Sequence, residues 1–130
     1  MADAKILVID DEPDNITFVG TILKKEGFTI LSAGDGLEGL KKAMAEIPDL
    51  IVLDVQMPKM NGFEVFNRLR TADSTKKIPV VMLTGIREKV GIGFDAEDMK
   101  KFYGEEPNGY VEKPVSPEDL LKVVKDNLQP

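Results

Sequence analysis

Three carboxylates, a hydroxyl and an ammonium stand just past four apolar runs of this 130-residue chain. Asp10 and Asp11 follow Lys5 to Ile9 (KILVI), and Asp54 ends Leu50 to Leu53 (LIVL). Thr84 ends Ile78 to Leu83 (IPVVML), and Lys113 follows the weaker run Gly109 to Val111. Brought together, the carboxylates would repel one another and could not all stay ionised cheaply without a cation. The chain has no histidine and no cysteine. Oxygen-only donors favour a hard divalent ion, Mg²⁺ for a small site that keeps waters, with Mn²⁺ as the alternative. Such an ion would neutralise charge on an incoming phosphoryl group. One carboxylate could then act as a nucleophile and form an acyl phosphate, while the lysine and the hydroxyl hold the remaining phosphoryl oxygens.

That chemistry needs elements that carry all five side chains to one place. KILVI, FTIL (Phe28 to Leu31), LIVL and IPVVML are short, continuous apolar runs, the pattern of strands buried on both faces. Between them lie helical spacings. Ile16, Val19, Ile22 and Leu23 precede a stop at Gly27, and Phe63, Phe66 and Leu69 follow Gly62. Asp35 and Glu38 form a capping-box pattern that opens a helix with Leu37, Leu40, Ala43, Met44 and Ile47 on one inward face, ended by Pro48. Ser116-Pro117-Glu118-Asp119 is an N-cap, a proline at N1 and an acidic N3, opening a last helix with Leu120, Leu121, Val124 and Leu128 inward. Strands alternating with helices imply an α/β, doubly wound, five-stranded parallel sheet covered on both faces. The flavodoxin-like strand order 2-1-3-4-5 suits five such units. In that architecture ligands bind beyond the carboxyl ends of the strands, the rim on which Asp10, Asp11, Asp54, Thr84 and Lys113 would converge.

Composition excludes several classes. A formal net charge of −6 argues against direct binding of nucleic acid. Without cysteine there are no disulfides and no thiolate metal sites. No apolar run is long enough to span a bilayer, and the N-terminus does not read as a signal peptide. The expectation is a cytoplasmic protein with no membrane contact. The missing histidines also remove the usual neutral-pH acid/base and any internal phosphohistidine donor.

The segments ILVIDDE, LIVLDVQMPKMNGFEV, VVMLTG and GYVEKPV give the chain a close resemblance to the response-regulator receiver domains over nearly its whole length. That resemblance implies that Asp54 is phosphorylated by a partner histidine kinase or histidine phosphotransfer protein. It implies Mg²⁺ held by Asp10, Asp11, Asp54 and the backbone carbonyl of Gln56. Thr84 would be the switch hydroxyl, Lys113 the phosphoryl contact before a cis bond to Pro114, and Tyr110 the aromatic switch. Residues 1–130 would form a single receiver domain with no output domain in this chain. It would act as a signalling domain, not an enzyme, that catalyses only its own phosphorylation and autodephosphorylation. A downstream protein would bind the surface formed by the fourth helix, the fifth strand and the fifth helix.

Two other readings share parts of this pattern. A haloacid-dehalogenase-like phosphatase also uses a nucleophilic aspartate, but it needs a general acid two residues on, where this chain has Gln56. An interaction module with a dead phosphorylation site would have lost Asp54, Thr84 or Lys113, and all three are present. The departure from the receiver pattern is the long interval from Thr84 to Lys113, 29 positions (113 − 84). Gly85, Gly91 and Gly93 fall in it, each costing about 1 kcal/mol in a helix interior. A loop to Phe94 and a short helix from an Asp95 cap to Gly104 are expected. The loop could present Ile86, Ile92 or Phe94 to a partner and order on phosphorylation.

Overall fold

A computed structural model describes residues 4–57, 60–84 and 107–128. The expected 85–94 loop and the Asp95–Gly104 helix lie outside them. The described elements are β1 (Lys5–Ile9), α1 (Pro13–Lys25), β2 (Thr29–Ala33), α2 (Gly36–Glu46), β3 (Leu50–Asp54), α3 (Gly62–Thr71), β4 (Val80–Thr84), β5 (Gly109–Glu112) and α4 (Pro117–Asn127). Thus α4 is the helix counted fifth in the sequence. The five strands form one parallel sheet in the order β2-β1-β3-β4-β5, as the alternating pattern predicts.

The sheet explains why its central strands are apolar throughout. Leu7, Ile9, Ile51, Leu53, Val80 and Met82 face α2 and α3, packing with Leu40, Ala43, Phe63, Val65, Phe66 and Leu69. Their neighbours Ile6, Val8, Leu50, Val52, Val81 and Leu83 face the other way, onto Val19 and Leu23 of α1 and Leu120 and Val124 of α4. Alternate residues of one strand therefore serve two cores, and neither face can carry a solvated side chain. Full burial of each large aliphatic or aromatic side chain contributes about 1.5–3 kcal/mol.

Local chemistry sets the helix ends. Asp35 accepts the Glu38 N–H at 2.7 Å, and Glu38 Oε1 accepts the Gly34 N–H at 2.7 Å. Asn61 caps α3 by accepting the Glu64 N–H at 3.0 Å. The chain leaves α1 through Gly27 at φ 94°, a left-handed conformation that glycine adopts without penalty. Two strand bounds shift from the sequence reading. β2 runs from Thr29 to Ala33, with Phe28 buried just before it, and β4 begins at Val80.

One helix face differs from expectation. In α2 the buried residues are Gly36, Gly39, Leu40 and Ala43, whereas Leu37, Met44 and Ile47 are exposed. The reason is close approach. A Cβ on Gly39 would lie 2.5 Å from Ile9 Cδ1, and one on Gly36 would lie 2.8 Å from Val65 Cγ2. Turning its glycines inward lets α2 sit tightly against β1 and α3, and this rotates the larger apolar residues outward. The helix ends at Glu46, before Pro48, with Ile47 left-handed at φ 44°.

Candidate functional site

Parallel strands release their C-terminal ends on one rim, and β1, β3 and β4 each deliver a polar residue there. Asp10 leaves β1 with its N–H on Ala33 O at 3.1 Å and is fully buried. Its Oδ1 accepts the Glu12 N–H at 2.9 Å, which ties the start of α1 to the carboxylate. Asp54 is the last residue of β3 and Thr84 the last of β4, each about 1% exposed. Oxygens of Asp10, Asp11 and Asp54 all lie within 4.8 Å of one another. Lys113 enters just past β5, its N–H on Thr84 O at 2.7 Å, and its Nζ reaches Asp54 Oδ1 at 2.7 Å. Its bond to Pro114 is cis. The five expected residues therefore meet at one place, although their positions in the sequence span more than a hundred residues.

Three buried oxygens of this cluster, Asp10 Oδ2, Asp54 Oδ2 and Thr84 Oγ1, have no hydrogen-bond partner among the described residues. An unsatisfied buried polar atom costs about 1–3 kcal/mol, so three on one rim mark a place shaped for something other than stability. The electrostatics agree. Burial pushes the Asp54 carboxyl up to about 6, the hydrogen bond from Lys113 works against that rise, and the charge of Asp10 adds to it. Burial likewise raises Asp10, opposed by the Glu12 N–H and by Lys113. For Lys113, burial alone would lower its pKa, but the hydrogen bond and charge of Asp54 outweigh it and the net direction is upward. A hard divalent cation fits this donor set. It would take the unpartnered carboxylate oxygens and relieve their mutual repulsion.

Gln56 and Tyr110 are placed less directly. The Gln56 N–H acts on the Asp54 carboxylate, lowering its pKa, and its side chain is exposed. Tyr110 lies opposite Met82 in the β4–β5 register, two positions short of the Thr84–Glu112 pair, and packs half-buried against the core on the α2 and α3 side.

Two residues that bear on the site went unassigned in the sequence. Gly62 presses onto the backbone that carries Asp54. Its N–H bonds Val55 O at 2.8 Å, and a Cβ there would stand 2.4 Å from Asp54 O and 2.8 Å from Val55 Cα. Its place in the LIVLDVQMPKMNGFEV segment was part of the receiver resemblance, but the close approach to Asp54 was not visible there. Asn15, in the first turn of α1, is near enough to Asp10 to act against the rise of that carboxyl's pKa. An asparagine near a helix start reads simply as a capping residue, so nothing singled it out.

The geometry coincides with what the chain resembles. A family model described as "Response regulator receiver domain" matches residues 6–125. The chain is 39% identical over 125 residues to the alkaline phosphatase synthesis transcriptional regulatory protein PhoP of Bacillus subtilis, covering 93% of this chain and 47% of that protein. It is 32% identical to protein PilH of Pseudomonas aeruginosa, covering 93% of this chain and 94% of that one. Among solved structures, the chemotaxis protein CheY4 of Vibrio cholerae matches with a TM-score of 0.81 and 34% identity, covering 95% of this chain and 98% of the other. The chain thus spans about half the length of regulators such as PhoP and nearly all of PilH. With the strand order, the clustered rim and these matches in agreement, the chain belongs to the response-regulator receiver domains, the phospho-accepting modules of two-component signalling.

Proposed function

We propose that Asp54 is the phosphorylated residue, and that residues 1–130 act as one receiver domain charged by a histidine kinase or histidine phosphotransfer protein. The observation that carries this reading is the pairing of a buried Asp54 with Lys113 at 2.7 Å, beside oxygens of Asp10, Asp54 and Thr84 that have no partner among the described residues. With no histidine among these 130 residues, the donor phosphohistidine lies outside them.

The transfer follows from the chain's own groups. With a pKa near 6, Asp54 is mostly ionised at neutral pH, so a carboxylate oxygen has a lone pair to attack phosphorus. The new O–P bond forms as the donor's P–N bond breaks, and the departing imidazole takes its proton from solvent. Lys113 is already charged and in place to hold a phosphoryl oxygen, and the Thr84 hydroxyl, which has no partner among the described residues, can donate to another. Asp10, Asp11, Asp54 and the Gln56 carbonyl would hold Mg²⁺, with Mn²⁺ as a substitute. Bound there, the cation supplies positive charge to the transferring phosphoryl group. Once Thr84 turns to the acyl phosphate, Tyr110 follows toward the space it leaves, shifting a two-state equilibrium. Autodephosphorylation returns the domain to rest when water attacks the acyl phosphate. Gln56, exposed beside it, is suited to ordering that water.

The readout belongs to a protein partner on the surface that contains β5 and α4. The net charge of −6 supports a protein target over direct nucleic-acid binding. No helix among the described residues is long and apolar enough to cross a membrane. With a histidine kinase or histidine phosphotransfer protein as its donor, the domain would work in the cytoplasm. The test is a titration with beryllofluoride and Mg²⁺ followed by amide chemical shifts. Residues around Thr84, Tyr110 and Lys113 should shift in the wild type and stay still in Asp54→Asn. Equal responses in the two proteins would remove Asp54 from the assignment.

A further inference from the structure

Asn61-Gly62 and Asn108-Gly109 each set a carboxamide directly before a glycine. Glycine has no side chain to shield its nitrogen, so that nitrogen can attack the preceding Cγ. The Gly N–Cγ bond forms as the Cγ–NH₂ bond breaks, and the glycine N–H proton leaves with the amine as ammonia. Water then opens the cyclic imide to aspartate or isoaspartate. The reaction needs only water and the right approach of the two atoms.

The fold treats the two pairs differently. At Asn61 both reactants are tied. The Gly62 N–H bonds Val55 O at 2.8 Å, Asn61 Oδ1 accepts the Glu64 N–H at 3.0 Å, and Gly62 is buried. Asn108 is exposed, so orientation alone holds the reaction off. Its N–H bonds Val80 O at 2.9 Å, and its Oδ1 accepts the Val80 N–H at 2.9 Å, which keeps the carboxamide on the β4 side. Arg70 of α3 donates to the same Oδ1 at 2.7 Å. That guanidinium is itself fixed by Ile78 O at 2.8 Å and by stacking 4.7 Å over the Phe66 ring. Backbone N–H groups alternate from side to side along a strand, so the Gly109 N–H points away from β4. Nucleophile and carboxamide carbon therefore stand on opposite sides of the chain.

We propose that Asn108 is a latent deamidation site, held closed by Arg70 and the Val80 N–H and released when the start of β5 parts from β4. Isoaspartate there would route the main chain through the former side chain. The added backbone methylene would fall just before Tyr110 and Lys113 and break the Val81–Gly109 register. This inference stands apart from the phosphoryl and metal readings.

The test incubates the whole chain in mildly alkaline buffer, folded and in urea, and follows both pairs by peptide mapping with an isoaspartate assay. In urea the two pairs should react at similar rates, and folding should slow both. Well below Tm, where local openings dominate, Arg70→Ala should speed the reaction at Asn108 about fivefold and leave Asn61 within about twofold. Asn61 is the internal control, because general unfolding would speed both pairs alike. Asn108 reacting as fast folded as in urea would overturn the assignment. So would an Arg70→Ala protein in which neither pair is faster, or both are faster by the same factor.

Discussion

The two ends of the sheet treat their polar groups in opposite ways. At the C-terminal rim, Asp10, Asp54 and Thr84 each leave a buried oxygen without a partner among the described residues. At the N-terminal end, where β4 and β5 begin, the polar groups are tied together. Arg70 donates to Ile78 O at 2.8 Å and to Asn108 Oδ1 at 2.7 Å, and stacks 4.7 Å above the Phe66 ring. The same Asn108 oxygen accepts the Val80 N–H at 2.9 Å, while the Asn108 N–H bonds Val80 O at 2.9 Å. Next to them, Asp49 accepts the Lys5 N–H at 2.7 Å. One end is built to stay closed, and the other is left short of partners, which is what the proposed cation and phosphoryl group would supply. The fold meets the cost of the open end with the satisfied one and with its two apolar cores.

The sharpest way to break this contrast is at Gly62, which lets α3 press on the backbone under Asp54. Gly62→Val should destabilise by about 3 kcal/mol, because the new side chain meets main-chain atoms that cannot swing aside. Urea unfolding measures it, and phosphoryl uptake should fall with it. Arg70→Ala at the opposite end should cost about 1 kcal/mol, from a part-buried carbonyl and an exposed Asn108 losing a charged donor. Its uptake rate should be unchanged wherever the variant remains folded. A slowed rate in folded Arg70→Ala would mean the two ends are coupled.

Asp54 itself gives a pH signature of opposite sign to that of a salt-bridged surface carboxylate. Its folded pKa of about 6 stands above the ordinary 3.8, so the folded state binds the proton more tightly than the unfolded chain. This contribution is present in full below about pH 4 and is lost as pH rises through about 6. Metal-free Asp54→Asn should accordingly be more stable than the wild type by about 1–2 kcal/mol at pH 8, with the gain fading toward pH 4. Thermal melts in EDTA across that range would show it, and a flat difference would contradict the strained-rim description. The smallest effect belongs to the outward face of α2. Leu37→Ser and Met44→Gln should each stay within about 0.5 kcal/mol, since both residues are about half exposed.

The sequence made the strands and the rim legible because both leave signals of fixed period or place. A strand buried on both faces is an unbroken apolar run, and a rim residue is whatever polar group comes just after it. Asp10, Asp11, Asp54, Thr84 and Lys113 were all readable in that way. What stayed hidden depends on distance and not on pattern. Periodicity counts apolar residues and ignores glycine, so it turned Leu37, Met44 and Ile47 inward, whereas contact with Ile9 and Val65 requires Gly39 and Gly36 there. The Arg70–Asn108 bond joins residues 38 positions apart, and no local rule pairs them. Asn15 was hidden because its type already had an ordinary explanation at a helix start.

The central claim, that the unsatisfied rim is a phosphoryl acceptor, is tested most directly by intact mass and peptide mapping after incubation with acetyl phosphate. With Mg²⁺ the wild type should gain one phosphoryl group, mapped to the peptide that contains Asp54, and the gain should disappear in EDTA and in Asp54→Asn. A phosphoryl group mapped to another residue, or the same gain in Asp54→Asn, would contradict it.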